Sequence, residues 1–373
     1  MDPLAYWIGF NKVRGIGPAR LRALLDAFGS IEQAWHAPAD LLAEIGLDRR
    51  STASLVQARR ELDLAAELAR VKKSGVQVLT WEDQRYPERL RMINDPPPVL
   101  YIKGELRPAD DWAVALVGTR KATAYGREAA RILATDLARA GVTIVSGLAK
   151  GIDTLAHCGA IDAGGRTLAV LGSGVDIIYP YENLKLGQEV VKHGALISEY
   201  PLGAPPEANN FPPRNRIISG LSRGVIVVEA GEQSGALITA AFAADQGREV
   251  FAVPGSIFQR GSIGTNRLIR DGATPVLSAD DVLEALDLKR VAQHAEAQML
   301  LPTDATEALL FEHIGEEATH VDEIGRAVGL PIATVSSTLA IMELKGLVRA
   351  VGGMNYVRAR ETGPSYEATS DTA

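Results

Sequence analysis

FPPRNRIISGLSRGVIVVEAGEQSGAL, residues 211–237, holds both a fold signal and a chemical one. A small-residue helix runs into the apolar strand GVIVVE, and a glycine-rich turn then opens the next helix, which is the grammar of a strand–helix repeat. Ahead of that strand, Phe211 precedes Arg214, Asn215 and Arg216. Arginine offers a planar fork suited to phosphate, asparagine a donor and an acceptor, and phenylalanine a flat face for a base. The stretch reads as part of a site for a nucleotide chain.

Working outward, the same alternation of apolar run, glycine turn and small-residue helix extends from Trp112 to Leu277. Strands are predicted at 113–118, 142–147, 167–172, 195–198, 224–229, 249–255 and 274–277. Runs this apolar belong to a parallel sheet buried on both faces. The fold class is therefore α/β, an extended Rossmann-like doubly wound sheet, whose ligands bind beyond the carboxyl ends of the strands.

Either side of it the pattern changes. Residues 1–75 carry helical spacing (Leu21, Leu24, Leu25, Phe28) and a glycine turn, VRGIGPAR, which predicts a small all-α domain like a helix-hairpin-helix or sterile-alpha-motif unit. Within residues 76–111, Pro87 and Pro96–Pro98 break any long helix, so this segment reads as a strand-and-loop connector leading into a Rossmann domain spanning 76–285. An acidic, alanine-rich linker follows at 286–302. Residues 303–358 have the spacing of a helix-turn-helix with a wing at Gly352 and Gly353, a winged helix. The polar tail 359–373 reads as disordered.

Composition narrows the function. A chain of 373 residues with net charge −7 is no uniformly basic nucleic-acid coat, so polyanion binding requires a local basic patch. The lone Cys158 excludes an internal disulfide and a multi-cysteine metal site. No apolar run is long enough for a membrane span, and the expectation is a cytoplasmic protein without membrane insertion.

Glycines stand at the strand mouths: VGTRKATAYGR (117–127), SGLAKGIDTLAH (146–157), LGSGVDIIYPYEN (171–183), GEQSGAL (231–237) and GSIGTNRLI (261–269). Glycine lets a backbone approach a ligand, and the following helix N-termini supply N–H donors for anions; Ser234 and Thr265 are further phosphate candidates. Neither GxGxxG nor GxxxxGK[ST] is present, which counts against a dinucleotide enzyme or an ATPase. His157, Asp153 and Asp176 read as packing or capping residues, and no catalytic or metal-binding set assembles. No cofactor is expected.

The ordered motifs VGTR, SGLAKGID, LGSGVD, YPYEN, SEYPLG, FPPRNRIISGLS, EAGEQSGALITA and VPGS closely resemble the DNA-processing protein A (DprA/Smf) family, densely over residues 75–285. The resemblance implies a non-enzymatic protein that binds and protects incoming single-stranded DNA, dimerises through its Rossmann domain and loads the RecA recombinase during natural transformation. Where some relatives carry a lysine three residues before the motif aromatic, this chain has Ala208. The resulting DNA-contact set is Gly118, Thr119, Arg120, Ser146, Gly147, Lys150, Gly172, Ser173, Gly174, Asn183, Phe211, Arg214, Asn215, Arg216, Ser234 and Gly235, with Arg214 and Arg216 open to a structural ion-pair role instead.

Two rival readings stand beside it. A nucleotide-processing enzyme of the LOG phosphoribohydrolase type would share EAGEQSGALITA, although its paired-glycine phosphate loop has no counterpart here. A duplex-reading regulator would act through the winged helix. That module holds Arg326, Lys345, Arg349 and Arg358 against Asp304, Glu307, Glu312, Glu316, Glu317, Asp322, Glu323 and Glu343. Since phosphate neutralisation dominates nucleic-acid affinity, an acidic winged helix predicts a protein-contact or packing role.

Overall fold

The computed structural model describes residues 1–288, 305–315, 318–344 and 347–358. The chain divides into two compact units, 1–292 and 293–373. Most of the predicted linker (286–302) and the whole predicted tail (359–373) lie outside the described residues.

Unit one opens with six helices: α1 (Pro3–Asn11), α2 (Pro18–Phe28), α3 (Ile31–His36), α4 (Ala39–Glu44), α5 (Arg49–Glu61) and α6 (Leu64–Lys73). Helix α1 starts because Asp2 caps it, accepting from Leu4 N at 3.1 Å, and Pro3 sits where its missing N–H costs nothing. It is apolar all round and buried from Ala5 to Phe10, so it forms the hub of the bundle. Gly9 is required there, since a Cβ would lie 2.6 Å from Leu64 Cδ2. These helices share one hydrophobic core with sheet residues Val78, Val99, Tyr101 and Leu196. The boundary near residue 75 thus divides chain segments and not separate cores.

The sheet has nine strands: β1 (Gln77–Thr80), β2 (Val99–Gly104), β3 (Ala113–Val117), β4 (Thr143–Ser146), β5 (Thr167–Val170), β6 (Gly194–Ser198), β7 (Gly224–Val227), β8 (Glu249–Ala252) and β9 (Thr274–Pro275), in the order β1-β2-β6-β5-β4-β3-β7-β8-β9. From β6 to β9 every pairing is parallel. The proline-rich segment 76–111 contributes two further strands, and β2 joins β6 antiparallel, so a mixed edge extends the parallel sheet. Strands β3 to β7 are buried along their whole length, as a doubly covered sheet demands. The covering helices are α7 (Glu88–Arg91), α8 (Ala124–Arg139), α9 (Ile152–Asp162), α10 (Leu184–His193), α11 (Phe211–Gly220), α12 (Ala236–Asp245), α13 (Ile263–Arg270) and α14 (Ala279–Ala285). Strand order reverses between β3 and its neighbours β4 and β7, which opens a crevice at their carboxyl ends.

Unit two is a winged helix: α15 (Ala305–Glu312), β10 (Thr319–His320), α16 (Val321–Val328), α17 (Ile332–Leu344), β11 (Val348–Gly352) and β12 (Asn355–Arg358), with strands ordered β10-β12-β11. Gly329 ends α16 with φ of 68°, the left-handed cap that glycine tolerates best. Leu310, Ile324, Val335, Leu339 and Met342 close its core. Among the described residues, no single helix is long and apolar enough to cross a membrane.

Candidate nucleic-acid interface

A cleft of about 660 Å³ lies at the reversal point, walled by the loops after β3, β4 and β7 and by the start of α11. Phe211 stands at its centre. The guanidinium of Arg120 lies 5.8 Å from the ring centroid and that of Arg214 5.9 Å, with the Tyr179 ring 5.8 Å away. An aromatic ring with two cations close by, one exposed and one buried, can stack a base and neutralise the phosphate beside it.

Of the residues expected from sequence, Gly118, Thr119, Arg120, Phe211, Arg214, Asn215, Ser234 and Gly235 line this cleft. Gly147 and Lys150 line a smaller recess of about 50 Å³ beside it, together with Arg120, Phe211 and Arg214. Lys150 is held at 2.5 Å by exposed Glu182.

The remaining expected residues face the scaffold. Arg216 is buried in a two-pronged pair with Glu199, at 2.7 and 2.8 Å, and donates through Nε to the Asp95 carbonyl. Ser146 Oγ donates to the Leu116 carbonyl and Ser173 Oγ to the Ile177 carbonyl. Asn183 Nδ2 donates to the Leu148 carbonyl at 2.9 Å and to Thr154 Oγ1. Leu148 has φ of 55°, an unfavourable conformation for a branched side chain, so Asn183 braces a strained loop. Gly174 N donates to the Ala204 carbonyl, and Thr265 is buried with its hydroxyl on the Ser262 carbonyl.

The glycines at the strand mouths also serve side chains. A Cβ on Gly147 would lie 1.8 Å from Arg214 Nη1, and one on Gly172 would meet the Phe211 ring at 2.9 Å. These positions are small because the arginine and the phenylalanine occupy the space that a ligand was expected to fill.

Beneath the cleft lies a buried polar foundation. Arg214 Nη1 donates to the Val170 carbonyl at 2.9 Å, while its Nε has no acceptor among the described residues. Burial pushes this arginine down to about 10, partly offset by Asp153. Asp153 accepts from the N–H groups of Gly147 and Ala149, and burial raises it despite Arg214. His157 is fully buried, and because the Thr167 hydroxyl already donates to Ile144, its Nδ1 donates to Thr167 Oγ1 at 2.7 Å. Burial holds it neutral, down to about 3. Asp153 thus shapes the loop after β4, and His157 Nε2 is buried without a hydrogen-bond partner among the described residues.

Sequence reasoning missed four contributors. Tyr179 sits in the YPYEN motif, from which only Asn183 was taken. Gln233 and Thr239 line the cleft from the loop after β7 and from α12. Glu229, buried two residues past β7, accepts from Thr123 N and Oγ1 and so fixes the loop that carries Arg120. Only its place at a strand terminus signalled it.

Residues 77–287 match the DNA recombination-mediator protein A family, and residues 294–354 match the DprA winged helix domain. This chain belongs to the DNA recombination-mediator protein A family. Protein Smf of Synechocystis is 36% identical over 95% of this chain and 98% of its own length, and Protein Smf of Escherichia coli 39% identical over 87% and 88%. The X-ray structure of DNA processing protein A from Streptococcus pneumoniae superposes with a TM-score of 0.68 at 37% identity, over 75% of this chain and 97% of that one. DNA processing protein A from Helicobacter pylori, described for its single-stranded DNA binding mode, gives a TM-score of 0.51 at 32% identity over 56% and 95%.

Proposed function

We propose that the crevice at the carboxyl edge of the sheet holds single-stranded DNA, with one base against Phe211, a flanking phosphate on the exposed Arg120, and the buried Arg214 adding positive charge beneath them. The central observation is the Phe211 ring with two guanidinium groups close to it, at 5.8 and 5.9 Å from its centroid. An unpaired strand can splay a base onto such a ring, whereas a duplex keeps its bases stacked. The groups around the cleft bind and orient; the buried carboxylate and imidazole below it are committed to backbone and hydroxyl partners. The protein accordingly acts as a non-enzymatic mediator that protects incoming strands and loads RecA onto them.

Dimerisation through the Rossmann domain belongs to the same reading. Ile257, Phe258, Ile263 and Leu277 are exposed around the segment 261–277, a concentration of apolar surface that a second copy would cover. Anisotropy titrations with matched single- and double-stranded oligonucleotides test the binding assignment. Clear preference for the single strand, lost in Arg120→Ala, is the expected result. Equal affinity for both forms, or release of free base from nucleoside monophosphates, would turn the reading toward its enzymatic rival.

A further inference from the structure

The amino-terminal edge of the sheet carries a second concentration of positive charge, at the opposite ends of the strands that form the cleft. Asp111 and Trp112 immediately precede β3, Arg223 precedes β7 and Arg248 precedes β8, three strands adjacent in the sheet. Arg89, from α7, joins them. Arg89 Nε lies 3.3 Å from Asp111 Oδ1, and Arg223 Nη2 lies 3.2 Å from Asp111 Oδ2. Arg248 Nη2 donates to the Arg89 carbonyl, so the third guanidinium is tied to the same corner.

One carboxylate thus faces three guanidinium groups. Among the described residues, Nε of Arg89 and Nε of Arg248 are both buried without a hydrogen-bond partner, Arg89 Nε meeting Asp111 as a 3.3 Å ion pair. Arg223 is held flat by Trp112, its guanidinium 3.8 Å from the ring centroid. Burial, and then mutual repulsion with Arg89, lower both Arg223 and Arg248. Asp111 itself is half exposed, so solvent reaches the cluster. A structural ion-pair network matches its charges, as Arg216 does with Glu199. This corner leaves donors pre-aimed and unsatisfied, which is the arrangement that planar forks use for phosphate.

We propose that Arg89, Arg223 and Arg248 form a second phosphate-binding site at the amino-terminal edge of the sheet, separate from the Phe211 cleft. The phosphate belongs either to a nucleic-acid strand long enough to pass from the cleft over the molecule or to a free phosphate compound. The two edges are separated by the length of β3, five residues or about 17 Å. The strand alternative rests on the cleft reading; the free-phosphate alternative does not.

The test uses the full chain and the double variant Arg89→Gln/Arg248→Gln, with Asp111→Asn as a companion that removes an exposed carboxylate and leaves all three cations. Affinity for a short and a long oligothymidylate is measured against salt concentration, and thermal stabilisation by inorganic pyrophosphate is measured separately. If the site takes a strand, the double variant binds the short oligonucleotide as the parent does and loses several-fold affinity for the long one. Its salt slope then falls by roughly 0.7 for each phosphate no longer neutralised, and Asp111→Asn shifts long-strand affinity the opposite way. If the site takes free phosphate, only the pyrophosphate stabilisation disappears. Unchanged long-strand affinity and unchanged pyrophosphate response in both variants would overturn the proposal. Loss of short-strand binding in Arg120→Ala but not in these variants keeps the two sites distinguishable.

Discussion

The carboxyl edge of the sheet and the exposed face of α17 are both surfaces that their folds commonly offer to nucleic acid, yet they carry opposite chemistry. At the sheet edge, Arg120 and Arg214 both lie within 6 Å of an aromatic ring centroid, at 5.8 and 5.9 Å. On α17, the exposed residues include Ile332, Ala333, Ser337, Ala340 and Ile341, and the helix contains no basic residue. Its acid, Glu343, accepts from Ala350 N and pins the wing. Architecture offers a surface, and the side chains decide what it binds.

The contrast breaks most sharply where the cleft is buried. Arg214→Ala removes a buried guanidinium from the Val170 carbonyl and empties the space that Gly147 leaves open, so unfolding free energy should fall by about 2–5 kcal/mol. Urea unfolding of the purified variant checks this. A loss well under ~1 kcal/mol would mean that Arg214 belongs to the ligand and not to the fold.

Acid should undermine the same foundation. His157 has a folded value near 3 against about 6.5 for the unfolded chain. Between those limits the unfolded state binds the extra proton, so stability declines as pH falls from about 6.5 toward 3, by a few kcal/mol. Asp153, raised by burial, opposes this in its own window, because there the folded state binds the extra proton. His157→Gln should therefore flatten the acid limb of a stability-against-pH curve. An unaltered limb would place the acid sensitivity elsewhere.

Much of this was legible in the sequence, for a definable reason. Strands β3 to β8 announced themselves because a sheet covered on both faces admits few polar residues, and Arg120 and Phe211, expected in one site, line one cleft. Strands β1 and β2 were obscured by the prolines around them, since their pairing is set by neighbours distant in sequence, such as Ile197 against Ile102. Arg216 could not be told from Arg214 along the chain, because Glu199, its partner, comes from the end of β6. Gly147 and Gly172 looked like openings for phosphate, but sequence spacing does not show which side chain fills the gap.

Within the cleft, Phe211→Ala should weaken single-strand affinity by about 1–3 kcal/mol while leaving the salt dependence almost unchanged, since it removes stacking and no charge. Arg120→Ala should do the reverse. It should lower the salt slope by about 0.7, with thermal stability preserved because the side chain is exposed. Fluorescence anisotropy across a salt series separates the two, and identical slopes in both variants would contradict the division between ring and cation.

The smallest effect belongs to the winged helix. Among the described residues, Arg326 and Arg349 are its exposed arginines away from the Phe311 ring, over which Arg358 lies at 4.3 Å. If this unit neutralised phosphates, replacing both with alanine would lower the salt slope for duplex or single-stranded DNA by about 1.4–1.8, the slope being near 0.7 per phosphate for single strands and 0.9 for duplex. The geometry supports no such change, because neither arginine stands on α17, and that helix presents isoleucine, alanine and serine where a reading helix would present donors. The double variant Arg326→Ala/Arg349→Ala should match the parent on both substrates. A polar change on α17 such as Ile341→Glu should likewise leave DNA affinity intact, and the same change would disrupt a protein partner seated on that face, since a buried interface residue tolerates an unpaired charge poorly. A drop in DNA affinity in either variant would erase the contrast between the two surfaces.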